Sequence, residues 1–251
     1  QPQSTSYNNI VTSFADYAIH QKDLIQPIKS GRLWLGEEFN VELSQNFNFS
    51  FPNLVSETPV HLRAQVAARY VTGNNAGAMS SFRVSVNGTQ VQNVSVTSVT
   101  GNYESWYARL ASGSTTFSAN SSDLTVNLTY SRPAVSAIGW LDFIELNARR
   151  QLIFNGPQMI FADPQSVGTN KQSRFIIQSN TPNIKVWEIT KIDQATQWEL
   201  TAEEGNQYVF YAPTNTLRQF VAFDGTQFFT PQALGSIAQQ NLHDEEVPDL
   251  I

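Results

Sequence analysis

Thiol chemistry is absent from this chain, because none of its 251 residues is cysteine. That excludes a cysteine nucleophile, a disulfide framework and a cysteine-ligated metal within it. The three histidines, His20, His61 and His243, are scattered, and none has a second histidine or a carboxylate at ligand spacing. No Gly-x-Ser-x-Gly turn is present to carry a serine nucleophile. Glu37 with Glu38, and Glu203 with Glu204, are conceivable as paired carboxylates, but neighbours on a strand point to opposite faces and cannot flank one glycosidic bond. No catalytic constellation is legible, so the residues point to binding and positioning.

Two groups could bind. Trp106 and Tyr107, next to Tyr103, could form a platform on which a sugar ring stacks, or could pack into a core with two of the three buried. Glu38, with Glu37 beside it, opens one run of strands, and Asp142 lies in the strand that closes it. Where first and last strands of a jelly roll run side by side, these carboxylates could share a structural calcium, with backbone carbonyls and water completing six to eight oxygens. The alternative is that Asp142 accepts from Arg32 or a backbone amide and holds no metal. No other cofactor is called for.

The elements that would position these residues are strands. Phe47, Phe49 and Phe51 alternate with polar residues, as do Leu62, Ala64, Val66 and Ala68, then Phe82, Val84 and Val86, and finally Leu124, Val126, Leu128 and Tyr130. Asn87-Gly88 is a strong hairpin signal, so a strand must follow, and Val91 to Val99 supplies it. Tyr103 to Leu110 and Thr115 to Phe117 read as further strands, and Ala137 to Leu146 closes the set. Strands at this spacing predict an all-β fold, with a jelly-roll (galactose-binding-like) β-sandwich over 30–155. After Gly156-Pro157 the pattern weakens. Arg174 to Gln178, Ile184 to Ile189, Gln197 to Thr201, Gln207 to Tyr211 and Gln219 to Phe223 then predict a small five-strand, sandwich-like β domain over 156–230. Residues 1–29 form a lead-in segment with a weak helical stripe, Ile10, Phe14, Tyr17 and Ala18. Residues 231–251 read as a linker and the start of another domain, because Val247-Pro248-Asp249-Leu250-Ile251 resembles a strand just beginning.

Composition agrees with an extracellular β-protein. Hydrophobic residues are 41% and charged residues only 14%, against roughly 25% in soluble proteins generally. The net charge of −6 and the absence of a Lys/Arg cluster argue against nucleic acid as a partner. No run of 18 apolar residues could span a bilayer as a helix.

Four stretches together resemble the type IX secretion sortases, a branch of the gingipain-type cysteine peptidases. They are Phe14 to Asp23, Ser30-Gly31-Arg32-Leu33-Trp34-Leu35-Gly36-Glu37-Glu38-Phe39, Leu141-Asp142-Phe143-Ile144-Glu145-Leu146-Asn147-Ala148-Arg149-Arg150, and Val186-Trp187-Glu188-Ile189-Thr190 with Gln240 to His243 and Pro248 to Ile251. Glu188 stands where the family usually shows Asp, and Gln21 where it often shows Glu.

The resemblance implies non-catalytic domains of a cell-surface cysteine endopeptidase that removes C-terminal signals from secreted cargo and joins the cargo to lipopolysaccharide. The catalytic His and Cys would then lie beyond Ile251, and Asn241 and His243 would contact that domain. Outer-membrane secretion components are further expected partners, at the extracellular face of the outer membrane. A bacterial resemblance also removes meaning from the Asn-x-Ser/Thr triplets at Asn48, Asn87, Asn93, Asn120 and Asn127. The competing readings are a carbohydrate-binding module, whose partner is a glycan, and a structural docking domain.

Overall fold

The computed structural model describes residues 6–29, 31–72, 77–228 and 230–236. In chain order the strands are β1 (Asn9–Val11), β2 (Ser13–Gln21), β3 (Glu38–Phe39), β4 (Ser44–Ser50), β5 (Val60–Arg69), β6 (Met79–Val86), β7 (Thr89–Thr97), β8 (Arg109–Phe117), β9 (Asp123–Ser131) and β10 (Ile138–Gln151). They continue with β11 (Gln158–Ala162), β12 (Gln172–Gln178), β13 (Lys185–Glu188), β14 (Thr196–Trp198), β15 (Thr201–Glu203), β16 (Gln207–Pro213) and β17 (Gln219–Phe223).

The first sandwich is a jelly roll. One sheet runs β4-β9-β6-β7, and the facing layer is β2-β10-β5-β8, with β3 on the open end of β10. Alternation puts Phe47, Phe49, Leu124, Val126 and Phe82 on the inner face of one sheet, and Leu62, Ala64, Val66, Ile144 and Leu146 on the other. The β6–β7 hairpin turns at Asn87 and Gly88, both with positive φ (47° and 83°), which is why that dipeptide is needed there. Gly139 lets the two layers meet closely, because a Cβ there would sit 2.6 Å from the Phe82 ring.

The second sandwich is built from β1-β12-β16-β15 on one side and β14-β13-β17-β11 with β2 on the other. Its core is aromatic: Phe161, Phe175, Phe210 and Phe220 pack with ring centroids 4.8–6.5 Å apart. Val11 and Phe14, from the start of the chain, belong to this core. One nine-stranded sheet runs through both sandwiches, with β2 between β11 and β10.

Three expectations are corrected. The helical stripe of Ile10, Phe14, Tyr17 and Ala18 is absent: Ile10 and Tyr17 are exposed, Phe14 is fully buried, and β2 pairs residue by residue with β10 from Ser13↔Gln151 to Gln21↔Phe143. The long open edge of β10 offers main-chain partners that a helix could not use, and this overrides a weak local pattern. The aromatics from Tyr103 to Tyr107 are not strand but turn, closed by Ser105 N donating to Asn102 O, and β8 runs unbroken from Arg109 to Phe117. The segment Gln197–Thr201 is not one strand. It leaves one sheet after β14 and enters the other as β15, while β11 lies where no strand was expected.

Candidate functional site

Three places gather chemically distinctive side chains. The first lies where β10 leaves the jelly roll. Arg149 and Arg150 are consecutive, so their side chains take opposite faces of the strand. Arg149 donates to Asp163 Oδ1 at 2.9 Å and, through Nε, to Ser13 Oγ at 2.9 Å. Arg150 donates to Asp16 Oδ2 at 2.7 Å and to Pro52 O at 2.6 Å, and its guanidinium lies 5.3 Å from the centre of the Phe14 ring. Each guanidinium thereby ties β10 to β2, and Arg149 also reaches the second sandwich.

The second place is the entry to the jelly roll. Glu37 Oε1 accepts from His20 Nε2 at 2.9 Å and from Lys22 Nζ at 3.1 Å, while Oε2 is buried without a hydrogen-bond partner. Burial works to raise the Glu37 carboxyl, but its own backbone amide, His20 and Lys22 outweigh that and hold it below the usual carboxylate range. Glu38 takes the opposite side, where Oε2 accepts from the buried Trp140 indole at 3.3 Å. Asp142 sits at the irregularity between Leu141 and Phe143 and accepts from Gln65 Nε2 at 2.6 Å, not from Arg32 or a backbone amide. The carboxylates proposed as calcium ligands therefore each hold a protein donor. Among the described residues no three of His, Asp and Glu group closely enough to hold an ion.

The third place is the turn before β8. Tyr103 is 96% and Trp106 70% exposed, and Tyr107 is partly exposed, so the core reading of two of these three rings is corrected. The residues between Gly101, with φ +80°, and Arg109 carry their aromatics on a short turn that has no facing layer to bury them. Tyr107 is held in place: Arg69 stacks 4.2 Å from its ring centre and donates to its carbonyl at 2.6 Å. This turn lies at the Ile138 end of β10, since Arg69 pairs with Ile138 and Ala68 with Arg109. The second sandwich is at the other end, roughly 40 Å away along a 14-residue strand.

Asn241 and His243 lie outside the described residues. His61, on the open face of β5, and His20, against Phe47, are not brought together. Sequence reasoning passed over Arg149, Arg150 and Asp16 as functional elements, and also Glu188, whose two oxygens accept from Arg218 at 2.7 Å and from the Trp198 indole at 3.2 Å. The signal for the arginines was available: two adjacent cations in a chain only 14% charged require partners once their strand is internal to a sheet.

No family model matches the chain, and no curated relative does. Among solved structures, latent dimeric PorU from Porphyromonas gingivalis matches with a TM-score of 0.75 at 23% identity, over 98% of this chain and 24% of that one. The carbohydrate-binding module CBM36, solved with calcium and xylotriose, matches only at a TM-score of 0.32 and 11% identity, over 54% of this chain and 99% of that module. The delta-endotoxin Cry8Ea1 of Bacillus thuringiensis matches at a TM-score of 0.32 and 18% identity, over 44% of this chain and 19% of the toxin. The chain spans about a quarter of the PorU chain it matches. In fold, this chain is a PorU-like segment: a jelly roll and a second sandwich threaded by one sheet.

Proposed function

We propose that the chain is a non-catalytic accessory unit of a PorU-like cysteine endopeptidase at the extracellular face of the outer membrane, where it positions the catalytic domain. The observation that carries this reading is the match of 98% of the chain to a quarter of latent PorU. The lack of any cysteine supports it, because a thiol nucleophile must then come from elsewhere in the polypeptide. In this reading Asn241 and His243 face the catalytic domain, and processing of C-terminal signals on secreted cargo is the work of the whole protein, with secretion components of the outer membrane as partners. The reading frame followed past Ile251 should encode a caspase-like sheet with a histidine before a cysteine. A stop codon at that point, with full activity retained, overturns the proposal.

A second reading is favoured by the Trp106 turn: glycan binding at the exposed end of the jelly roll. Trp106→Ala should then abolish sugar affinity, measured by glycan array and calorimetric titration, while the thermal midpoint stays near wild type because the ring is 70% exposed. Absence of any glycan affinity in the wild-type protein rejects it.

A further inference from the structure

The two ends of the jelly roll differ. The connections 22–37, 40–43, 70–78, 98–108 and 132–137 all meet at the Ile138 end of β10. Register brings them together there: Arg69 pairs with Ile138, Ala68 with Arg109, Met79 with Thr97 and Gly139 with Phe39. At the opposite end lie 51–59, 87–88 and 118–122, none of which leaves a large apolar side chain exposed. At the Ile138 end Val41 is 97% and Val135 80% exposed, and Tyr103 and Trp106 protrude from 98–108. Single exposed apolar residues are ordinary on a protein surface, but their confinement to one end of a sandwich marks a contact site.

Behind these tips, at the strand ends, lies a layer of guanidinium groups. Arg132 follows β9 directly and donates to Asn40 O at 3.0 Å and to Val135 O at 3.3 Å, so one cation anchors the two connections that carry Val41 and Val135. Arg69, the last residue of β5, holds Tyr107 by its ring and its carbonyl, and Arg109, the first of β8, is exposed. Among the described residues none of the three is ion-paired with a carboxylate.

Charge identifies the surface that fits. With Lys22, Lys29 and Arg32 this end holds six basic residues against five acidic ones, whereas the whole chain holds 15 against 21. Of the five, Glu37 is taken by His20 and Lys22, Glu38 accepts from Trp140 and Glu104 from the Tyr103 hydroxyl, while Asp23 and Glu42 are open to solvent. The acidic excess therefore lies on the rest of the molecule, and an anionic surface is approached with the Ile138 end leading. Apolar and aromatic tips outermost, with cations one layer behind, follow the order in which a bilayer offers acyl chains and then phosphates.

We propose that the Ile138 end of the jelly roll is a membrane-contact site for anionic phospholipid. Val41, Tyr103, Trp106 and Val135 enter the boundary between headgroups and acyl chains. Arg69, Arg109 and Arg132 meet the phosphates with the N–H groups that their intramolecular bonds leave over. This site does not depend on the accessory-unit reading, and it gives the Trp106 turn a lipid rather than a sugar.

The probe is a vesicle of equal parts phosphatidylethanolamine and phosphatidylglycerol. The wild-type chain should float with it, bind phosphatidylcholine vesicles at least tenfold more weakly, and lose affinity as salt is raised. Lipid brominated near the top of its acyl chains should quench tryptophan fluorescence, and Trp106→Phe should at least halve that quenching while still floating. Replacing Val41, Tyr103, Trp106 and Val135 together by serine should lower the partition coefficient at least tenfold with the thermal midpoint unchanged. If that variant fails to fold, Val41→Ser with Val135→Ser should lower it at least threefold. Arg109→Gln should weaken binding at least twofold, and Asn120→Ala, at the other end, should leave it unchanged. Failure of the wild type to float with the anionic vesicles, or equal flotation of the folded serine variant, overturns the proposal. Glycan affinity without flotation overturns it in favour of a sugar at this turn, and a dimer that the serine variant dissolves, again without flotation, overturns it in favour of a second copy.

Discussion

Glu37 is the residue whose surroundings make the sharpest demand on conditions. Its carboxyl is held below the ordinary 4.5 in the folded chain, so the folded state binds its proton less readily than the unfolded state does. The stability it contributes is complete above about pH 4.5 and is lost as pH falls through the depressed folded value. Glu37→Gln should therefore flatten the acid limb of a urea-denaturation series taken from pH 6 to pH 3, relative to wild type; identical slopes would remove Glu37 from the acid response. Arg150 is the most consequential of the junction residues, because truncating it strands Asp16 and Pro52 O and exposes the Phe14 ring. Since Asp16 keeps a quarter of its surface, Arg150→Ala should cost about 2–3 kcal/mol by denaturant titration, below the cost of breaking a wholly buried pair. For calcium, the donors on Glu38 and Asp142 lead to a definite expectation: the thermal midpoint should not move between excess chelator and millimolar calcium, in wild type or in Asp142→Asn. A rise with calcium in wild type alone would establish the site.

At the scale of elements, β2 has the widest reach. It covers the edge of β10 for nine residues, places Phe14 in the second core, and carries His20 to Glu37. A chain lacking residues 1–21 should lose order in both sandwiches, seen as protease sensitivity within β10 and within β12, and not merely fray at its start. Protection of β10 in that truncated protein would show that the jelly roll closes without β2. Period two was plain in β4, β5, β6 and β9 because one face of each is buried and the other wet. It was only half legible in β8, whose two ends read as separate strands, and illegible in β11. β8 is an outer strand with few buried side chains, and β11 is a five-residue piece whose Met159 and Phe161 are too few to define a pattern.

For the molecule as a whole, the shared sheet governs cooperativity. Two separate hydrophobic clusters would ordinarily unfold as two units, yet β2 and the Arg149–Asp163 pair make each depend on the other. Calorimetry should show one transition with equal calorimetric and van't Hoff enthalpies, and two resolved endotherms would mean that the junction is weaker than its hydrogen bonds imply.

From the sequence alone came the all-β class, the jelly roll, the Asn87-Gly88 turn, the absence of thiol chemistry and the resemblance that the fold comparison matches. These depend on local chemistry: alternation, turn residues, composition and short motifs. What only the tertiary structure decided is where partners separated by more than a hundred residues meet. Ser13 lies 136 positions from Arg149, and Asp16 lies 134 from Arg150. The fate of Ile10 to Ala18 turned on an open edge at β10 that no local pattern reveals, and the exposure of Trp106 on the lack of any layer facing its turn. Side-chain type says what a residue can bond to, whereas burial and pairing depend on which other segment arrives.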